Sequence, residues 1–522
     1  MSVPEGIRAV ERPVNTIVED SGREGAKRYS VRERSAIKYV RGGNPQPRNG
    51  KVVGHIVEGR FVPTAEKVVL QPDCRSYGAS ALVHSVSGDI FDDLSKVYPI
   101  DVASQLIAVA SLKVLRPSIA PNRYSTHYER TFVSTYHPGV ALSKNTVLGL
   151  FKAVGTDSRK RRDFYSLRIA RVAEDHHIAI DGTLKQDNSG VNDLSAFSYK
   201  AKTKGCKDVS VLYAFDIESL EPICAEVFPG NFIDASSFLG FVRDNNINEG
   251  ILVADKGLPI GKIDAHLREN PKLHYISPMK RDDKRIKAHG LLGFDEVVVG
   301  TDKNVVGKKV MVSPGRYLYS FKDSCLAGQE ECGIIRNAKK HSNLNPEKYA
   351  KGRETYGVIV FESDLDLTLG QVYRNYEDRW LLELLFSQYK GDLELDKTNV
   401  QSDYSIMGAE FVNFIATLMT ARIVKKLGGV GLLDKLAYKD VMDDLASAWR
   451  YTDASKCETP QANDRFWIHT TNVVKDMLVL LGLAETDKKT PKKRGRPKKE
   501  KPIDNTPKRP RGRPRKTPIS VS

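Results

Sequence analysis

Four polar residues between positions 376 and 390 have the types and spacing needed for chemistry on a phosphate ester. Tyr376, Arg379, Glu383 and Lys390 lie in a stretch without Gly or Pro, which predicts one helix ending before Gly391. At about 100° per residue, the four side chains fall within roughly 60° of one helical face. A carboxylate can ligate a hard cation, Arg and Lys can hold phosphate oxygens, and Tyr can donate to one. A solvated face carrying an Arg379–Glu383 ion pair is the alternative explanation.

These four residues form the pattern Y-x2-R-x3-E-x6-K. The pattern resembles the signature of the DDE transposases of bacterial insertion sequences, in the group named after insertion sequence four. All four fixed positions match. The resemblance implies that two aspartates on earlier strands complete a catalytic triad with Glu383.

Two strands that end in an acid precede this stretch. One is His176–Asp181 and the other is Gly250–Asp255. With further strands at 208–215, 222–228 and 273–277 and helices at 235–242 and 262–268, they give the order β-β-β-α-β-α-β. This is the element order of the RNase H-like fold, in which acids lie on the first strand, at the end of the fourth and on a later helix. Asp181, Asp255 and Glu383 occupy those places.

The predicted fold class is α/β, with an RNase H-like catalytic core interrupted by a β-rich insertion, an N-terminal α+β region and C-terminal helices. The regions are listed here in chain order: an N-terminal strand-rich region (1–66), a helical region that is a candidate for DNA binding (67–173), the first part of the core (174–280), the β-rich insertion (281–369), the catalytic helix closing the core (370–395), a C-terminal helical region (396–486) and a disordered basic tail (487–522).

Local patterns support several of these regions. Runs at 36–40 and 51–57 flank a turn-rich segment and predict an antiparallel pair. Helices at 143–155 and after Asp157, the second carrying four bases at 159–162, fit either a helix-turn-helix or a packing subdomain without DNA contact. The runs 296–299, 309–312, 317–321 and 357–361 predict strands in the insertion. The segments 409–427, 438–449 and 471–481 predict amphipathic helices.

Composition narrows the class of protein. The chain has 522 residues, 40% apolar and 28% charged, which is ordinary for a soluble globular protein. Six cysteines without a C-x2-C pair indicate reduced thiols, and His176 and His177 point to opposite faces of their strand, which argues against joint metal ligation. The sequence shows neither a membrane span nor a signal-peptide core. We therefore expect a cytoplasmic, nucleoid-associated protein that does not contact membranes.

The formal charge of +16 is concentrated at the C-terminal end, because residues 487–522 hold 15 Lys and Arg against 3 acids. This tail contains two copies of the AT-hook pattern: Arg494, Gly495, Arg496 and Pro497, then Arg511, Gly512, Arg513 and Pro514. Gly lets the backbone approach the groove floor, while the two Arg side chains enter a narrow A·T-rich minor groove. A merely polybasic tail is the alternative. AT-hooks are not part of the transposase pattern.

Three converging carboxylates can hold two Mg2+ ions, with Mn2+ as a substitute, because these hard cations prefer oxygen ligands. The resemblance implies hydrolysis at transposon ends followed by strand transfer into target DNA. It also implies that Tyr376, Arg379 and Lys390 hold the terminal phosphates; Lys280 and Arg281 are added as further phosphate-binding candidates. The expected partners are double-stranded DNA, as transposon ends, A·T-rich minor groove and target, and a second copy of the chain in a synaptic homodimer.

Two other functions fit the same residues. One is a catalytically inactive AT-hook DNA-binding protein derived from a transposase, which would tolerate loss of an acid. The other is a related metal-dependent DNA nuclease that cuts without strand transfer.

Overall fold

The computed structural model describes residues 3–25, 28–38, 46–63, 74–189, 191–198, 203–231, 235–253, 260–341, 343–378, 383, 386–453 and 468–485. The chain divides into two compact units, Met1–Pro72 and Asp73–Ser522.

The first unit is an antiparallel sheet with a small apolar core. Helix α1 (Glu5–Arg8) precedes strands β1 (Thr16–Asp20), β2 (Tyr29–Lys38), β3 (Gln46–Val57) and β4 (Arg60–Pro63), which lie in that order. Val18, Val31 and Ile56 are buried together with Val3. The antiparallel pairing of β2 with β3 confirms the predicted pair, while the turn at 39–45 lies outside the described residues.

The second unit begins with helices that pack on one another. Its elements are β5 (Cys74–Ser76), α2 (Gly78–Ser85), α3 (Gly88–Val97), α4 (Ile100–Leu115), a 3-10 turn (Pro121–Arg123), α5 (Tyr124–Arg130), α6 (Val133–Tyr136), α7 (Lys144–Thr156) and α8 (Ser158–Ile169). The Ser143 hydroxyl accepts a hydrogen bond from a backbone N–H at the start of α7, and the Asp157 carboxylate does the same for α8. The two predicted helices are therefore confirmed.

A large mixed sheet follows. Its first strands are β6 (His177–Asp187), β7 (Lys207–Asp216), β8 (Glu221–Pro229), β9 (Glu249–Val253) and β10 (Lys272–Pro278), with α9 (Ala235–Asp244) and α10 (Ile260–Glu269) between the later ones. The strand order is β8-β7-β6-β9-β10. β6 is antiparallel to β7 and parallel to β9, and β9 is parallel to β10. The predicted β-β-β-α-β-α-β order and the mixed α/β class are confirmed.

The segment after β10 extends this same sheet. It contains α11 (Lys284–Ala288), β11 (Glu296–Val297), β12 (Val305–Ser313), β13 (Arg316–Asp323), α12 (Ser324–His341), α13 (Pro346–Arg353) and β14 (Val358–Ser363). β14 pairs with β10, and β13, β12 and β11 follow outward. Ile276 of β10 packs in one apolar cluster with Phe321 and Phe361. The segment contains strands at the four predicted runs, and these strands join the core sheet, but more of its residues are helical than extended.

The chain then crosses back over the core. The elements are α14 (Leu369–Asp378), a π-helical turn (Gln388–Asp392), β15 (Lys397–Thr398), α15 (Asp403–Gly429), α16 (Tyr438–Ala446), β16 (Trp449–Tyr451), β17 (Ile468–His469) and α17 (Asn472–Leu480). The predicted helix at 438–449 was wrong at its end, because Trp449 pairs with Ser76 and His469 in a small sheet.

Helix α15 is the central helix of the second unit. By length and hydropathy it could cross a membrane, but 89% of its most apolar window is buried within the fold, which is the property of a core helix. It crosses α7 closely: a Cβ on Gly408 would lie 1.9 Å from the Phe151 carbonyl oxygen, and one on Gly155 would lie 1.6 Å from the Tyr404 carbonyl oxygen. Only glycine fits at either position.

Candidate functional site

Asp181 lies near the middle of strand β6. The predicted end of this strand at Asp181 was wrong, because its pairing with β7 continues to Asp187. Asp181 is half-buried, its Oδ1 accepts a hydrogen bond from the Gly182 N–H at 2.7 Å, and it pairs across the ladder with Tyr213 of β7. Because side chains alternate along a strand, His177, Asp181 and Lys185 share one face of β6. His177 and Lys185 each contact the chain segment that carries the signature, called here the signature segment (residues 375–390).

His177 makes the first of these contacts. Its Nε2 lies 2.7 Å from the Nδ2 of Asn375, in α14, and its Nδ1 lies 2.5 Å from Oε1 of Glu218. The backbone N–H of His177 donates to the other oxygen of Glu218 at 2.7 Å. With Nδ1–H donating to the carboxylate, Nε2 is the acceptor for the Asn375 amide.

Lys185 makes the second contact. Its ammonium pairs with the Glu410 carboxylate, and its Nζ lies 3.4 Å from the Tyr389 hydroxyl oxygen. Tyr389 donates to Glu410 at 2.6 Å, and Asn413 donates to the same carboxylate at 2.8 Å. All four side chains are almost fully buried, so this polar cluster lies inside the core between β6, α15 and the π-helical turn.

The predicted helix at 376–390 differs from the structure at its end. Helix α14 begins earlier, at Leu369, and Glu383 is helical and exposed, whereas 379–382, 384 and 385 lie outside the described residues. Gln388–Asp392 forms a π-helical turn that includes Gly391. A π-turn holds more residues per turn than an α-helix, so the 60° arc calculated for an α-helix does not apply as far as Lys390.

The other signature residues have different surroundings. Tyr376 is half-buried, and its ring packs against Phe361 and Tyr373 at centroid distances of 5.6 and 5.9 Å. Lys390 is exposed in the π-helical turn. Arg379 and Asp255 lie outside the described residues. Their expected roles stay predictions.

Of the two added cations, Lys280 is exposed and Arg281 is engaged within the fold. Arg281 forms a bidentate ion pair with Glu330 of α12, at 2.8 and 2.7 Å, and donates to the Val358 carbonyl at 2.7 Å. These contacts fasten α12 to the sheet, and a phosphate would have to compete with Glu330 for the guanidinium.

Two basic residues of α8 contact neighbouring elements of the fold. Arg161 is buried and donates to the carbonyl oxygens of Val154 and Gly155 at the end of α7. Arg162 pairs with Asp244 at 3.1 Å. These two bases connect α8 to its neighbours, so the surroundings of α8 favour the packing alternative over a helix-turn-helix.

Sequence patterns missed a cluster at the N-terminal end of β6. Ligand atoms of His176, Asp216 and Glu218 lie within 4.8 Å of one another, an arrangement that could hold a metal ion. Burial raises the pKa of Glu218, but hydrogen bonds from His177 outweigh it, so the net pKa lies below its ordinary value. Nearby, burial and the charges of Glu218 and Glu377 raise the pKa of Asp378. The adjacent histidines were the visible signal, but their partners lie at the end of β7 (Asp216) and just after it (Glu218), so they could not be inferred locally.

The expected AT-hooks at 494–497 and 511–514 lie outside the described residues.

Comparisons with known proteins add one family. Residues 173–417, somewhat less than half of the chain, match the family model described as Transposase DDE domain. This range begins just before β6 and ends within α15, so it includes all three predicted catalytic acids and the insertion. No curated protein matches the chain. A solved structure, the piggyBac transposase synaptic complex with hairpin DNA, is similar over 77% of this chain and 84% of that chain, at 11% identity and a TM-score of 0.39. A likeness this low does not establish a shared fold.

Proposed function

We propose that this protein is a DDE-type DNA transposase, which cleaves DNA at transposon ends and transfers the strand into target DNA. The observation that carries the proposal is the position of Asp181. It lies on the face of β6 that contacts the signature segment on both sides, at His177 and at Lys185, within the range that matches a transposase DDE domain.

We expect Glu383 to lie level with Asp181. From His177 to Asp181 is four strand residues, or about 13 Å. From Asn375, which contacts His177, to Glu383 is eight residues, or about 12 Å at the rise of the predicted helix. These similar lengths support our proposal that the two carboxylates lie at the same height.

We expect Asp255, which lies outside the described residues, to belong to the same site. Val253, the last residue of β9, pairs with Ala179 of β6. Asp255 and Asp181 each follow two residues later, and two residues span at most about 7 Å. Neighbouring positions in a parallel ladder also share a face, so the expected position of Asp255 is next to Asp181.

The strand order supports an RNase H-like core. In β8-β7-β6-β9-β10, two antiparallel pairs are followed by two parallel pairs, and the strands keep the element order that the sequence predicts for that fold. The sheet then continues into the inserted strands.

The donor set fits hard divalent cations. Half-buried Asp181 and exposed Glu383 offer carboxylate oxygens with room for retained waters, which suits Mg2+ or Mn2+ better than a softer metal. When two such ions are bound, they supply activation of a water or a 3′-hydroxyl and stabilisation of the leaving oxygen. Asp181, Asp255 and Glu383 hold them, while Tyr376, Arg379 and Lys390, with Lys280 and Arg281, position the DNA phosphates.

The proposed partners follow from the charge distribution. The basic tail with its two AT-hook patterns binds A·T-rich minor groove, which concentrates the enzyme on DNA without contributing to the chemistry. Two copies acting together hold two transposon ends in a synaptic homodimer. The site of action is the nucleoid in the cytoplasm.

The decisive experiment uses the three carboxylates. Asp181→Asn, Asp255→Asn and Glu383→Gln are each expected to abolish Mg2+-dependent cleavage of a duplex carrying the terminal inverted repeats that flank the coding region. Binding to that duplex and the unfolding midpoint should stay nearly unchanged. The matched control is Glu394→Gln, an exposed acid just beyond the π-helical turn, which should cleave normally.

Near wild-type cleavage by both the Asp181 and the Glu383 variants would overturn the proposal. A wild-type protein that cleaves but never joins the 3′ end to a second duplex would identify the related nuclease. A wild-type protein that binds and never cleaves would identify the inactive DNA-binding protein.

A further inference from the structure

We propose that Asn375 and Tyr389 are positioning residues that fasten the signature segment to β6 at two levels, and so hold Glu383 in register with Asp181. The inference rests on the proposed function, because it assigns these residues to the same metal-binding carboxylates. Neither residue belongs to the signature pattern.

The first fastening point is a relay of hydrogen bonds. Asn375 is 9% exposed and donates to His177, whose ring is held from the other side by Glu218. Since Glu218 also accepts the His177 backbone N–H, the imidazole cannot turn without losing a carboxylate contact. Asn375 thus meets a fixed acceptor at the start of β6.

The second fastening point is the buried phenol of Tyr389. Its hydroxyl donates to Glu410, which is paired with Lys185 of β6. Its ring packs edge-on against Tyr213 with centroids 5.7 Å apart. Tyr213 is the residue opposite Asp181 in the β6–β7 ladder. Tyr389 therefore connects the signature segment to the strand position of the catalytic aspartate through both a polar and an aromatic contact.

Both contacts are needed to fix the orientation of the signature segment on β6, because one contact alone would not do so. A segment attached at one level can tilt about that contact, whereas contacts that span eight residues of β6, about 26 Å, fix the direction of the segment. Displacement of a reacting group by about 1 Å can cost roughly a hundredfold in rate. Loss of either contact should accordingly loosen the spacing between Asp181 and Glu383.

The test measures Mn2+ binding to the full-length protein without DNA, together with the metal dependence of cleavage. Asn375→Ala and Tyr389→Phe are expected to raise the metal concentration for half-maximal cleavage by roughly tenfold. Asp181→Asn is expected to remove part of the Mn2+ binding. Asn375→Ala and Tyr389→Phe should weaken that same part by a similar factor. Tyr389→Phe deletes one oxygen and keeps the ring contacts, so folding should persist.

The matched control is Tyr319→Phe. Tyr319 is fully buried in the inserted strands, where its hydroxyl donates to the Leu365 carbonyl at 2.7 Å and accepts from the Leu367 N–H at 2.8 Å. The Tyr319→Phe variant should lose stability as Tyr389→Phe does. It should nevertheless need the same metal concentration for half-maximal cleavage as the wild type. A purely structural role for Tyr389 predicts instead that the two variants behave alike.

The outcomes separate the two proposals. If Asp181→Asn removes metal binding while Asn375→Ala and Tyr389→Phe match the control, the positioning inference fails and the proposed function stands. If Asp181→Asn and Glu383→Gln both leave metal binding and cleavage intact, the proposed function itself fails.

Discussion

The buried ion pair between Lys185 and Glu410 offers a prediction whose size follows from the structure. Glu410 accepts hydrogen bonds from Lys185, Tyr389 and Asn413, and both side chains of the pair are no more than 3% exposed. Glu410→Met keeps the volume but leaves the Lys185 ammonium buried without its partner. Breaking such a pair from one side costs about 3–5 kcal/mol of unfolding free energy.

The double variant Lys185→Met with Glu410→Met should be more stable than Glu410→Met alone. No charge of the pair is left behind. Tyr389 and Asn413 lack an acceptor in both variants, at about 1–3 kcal/mol each, so their cost cancels when the two variants are compared. The second substitution is therefore expected to return about 2 kcal/mol.

Guanidinium unfolding followed by intrinsic fluorescence, compared at the same pH for the wild type, the two single variants and the double variant, measures this coupling. Additive losses, with the double variant less stable than Glu410→Met, would refute the description of a dry, mutually dependent pair. Such a result would mean that water reaches Lys185 once Glu410 is removed.

Four further outcomes are expected. Burial, with the charge of Lys185, lowers the pKa of Lys113 to about 8 from its ordinary 10.5. The unfolded chain therefore binds this proton more tightly than the folded protein does. As a result, the free energy of unfolding rises between about pH 8 and 10.5. Lys113→Met should accordingly raise the unfolding midpoint at pH 7, and the gain should vanish near pH 10.5. Gly408→Ala should destabilise the protein by about 1–3 kcal/mol, since its Cβ would meet a carbonyl of the facing helix; Gly149→Ala, in open space on that helix, should stabilise it by up to about 1 kcal/mol. Removing 487–522 should flatten the salt dependence of binding to A·T-rich duplex, and an unchanged slope in a filter-binding assay would show that the tail makes no contact. Lys390→Ala should melt normally yet lose about tenfold in affinity for transposon ends, and equal affinity would remove the phosphate-binding assignment.

Much of the fold follows from local sequence patterns. The strand pattern at 176–181 and the caps at Ser143 and Asp157 act between residues close in the chain, so they could be recognised without a structure. The continuation of β6 to Asp187 was not predicted. The signature was also local. Its four residues indicated a phosphate-handling segment before any three-dimensional contact was known.

Contacts between distant segments could not be inferred in this way. Trp449 fits a helical pattern, yet it pairs with Ser76, more than 370 residues earlier, because the local propensity of a short segment yields to an available strand edge. The partners of His177 and Tyr389 were hidden for the same reason. Single positions such as Asn375 and Glu410 carry no periodic signal, and they acquire a role only when β6 and α15 are brought together.

The path of the chain through the sheet determines which part of the insertion could be trimmed. Excising all of 281–369 would take β14 from the edge of β10 and leave an exposed strand prone to pairing with other molecules. β13 and β14, however, are antiparallel neighbours, and their last pair joins Lys322 to Val358. A tight turn of a few residues could replace 324–356 and connect them directly as a hairpin. The helices α12 and α13 are thus the part that could be removed, whereas the inserted strands belong to the sheet on which the rest of the protein is built.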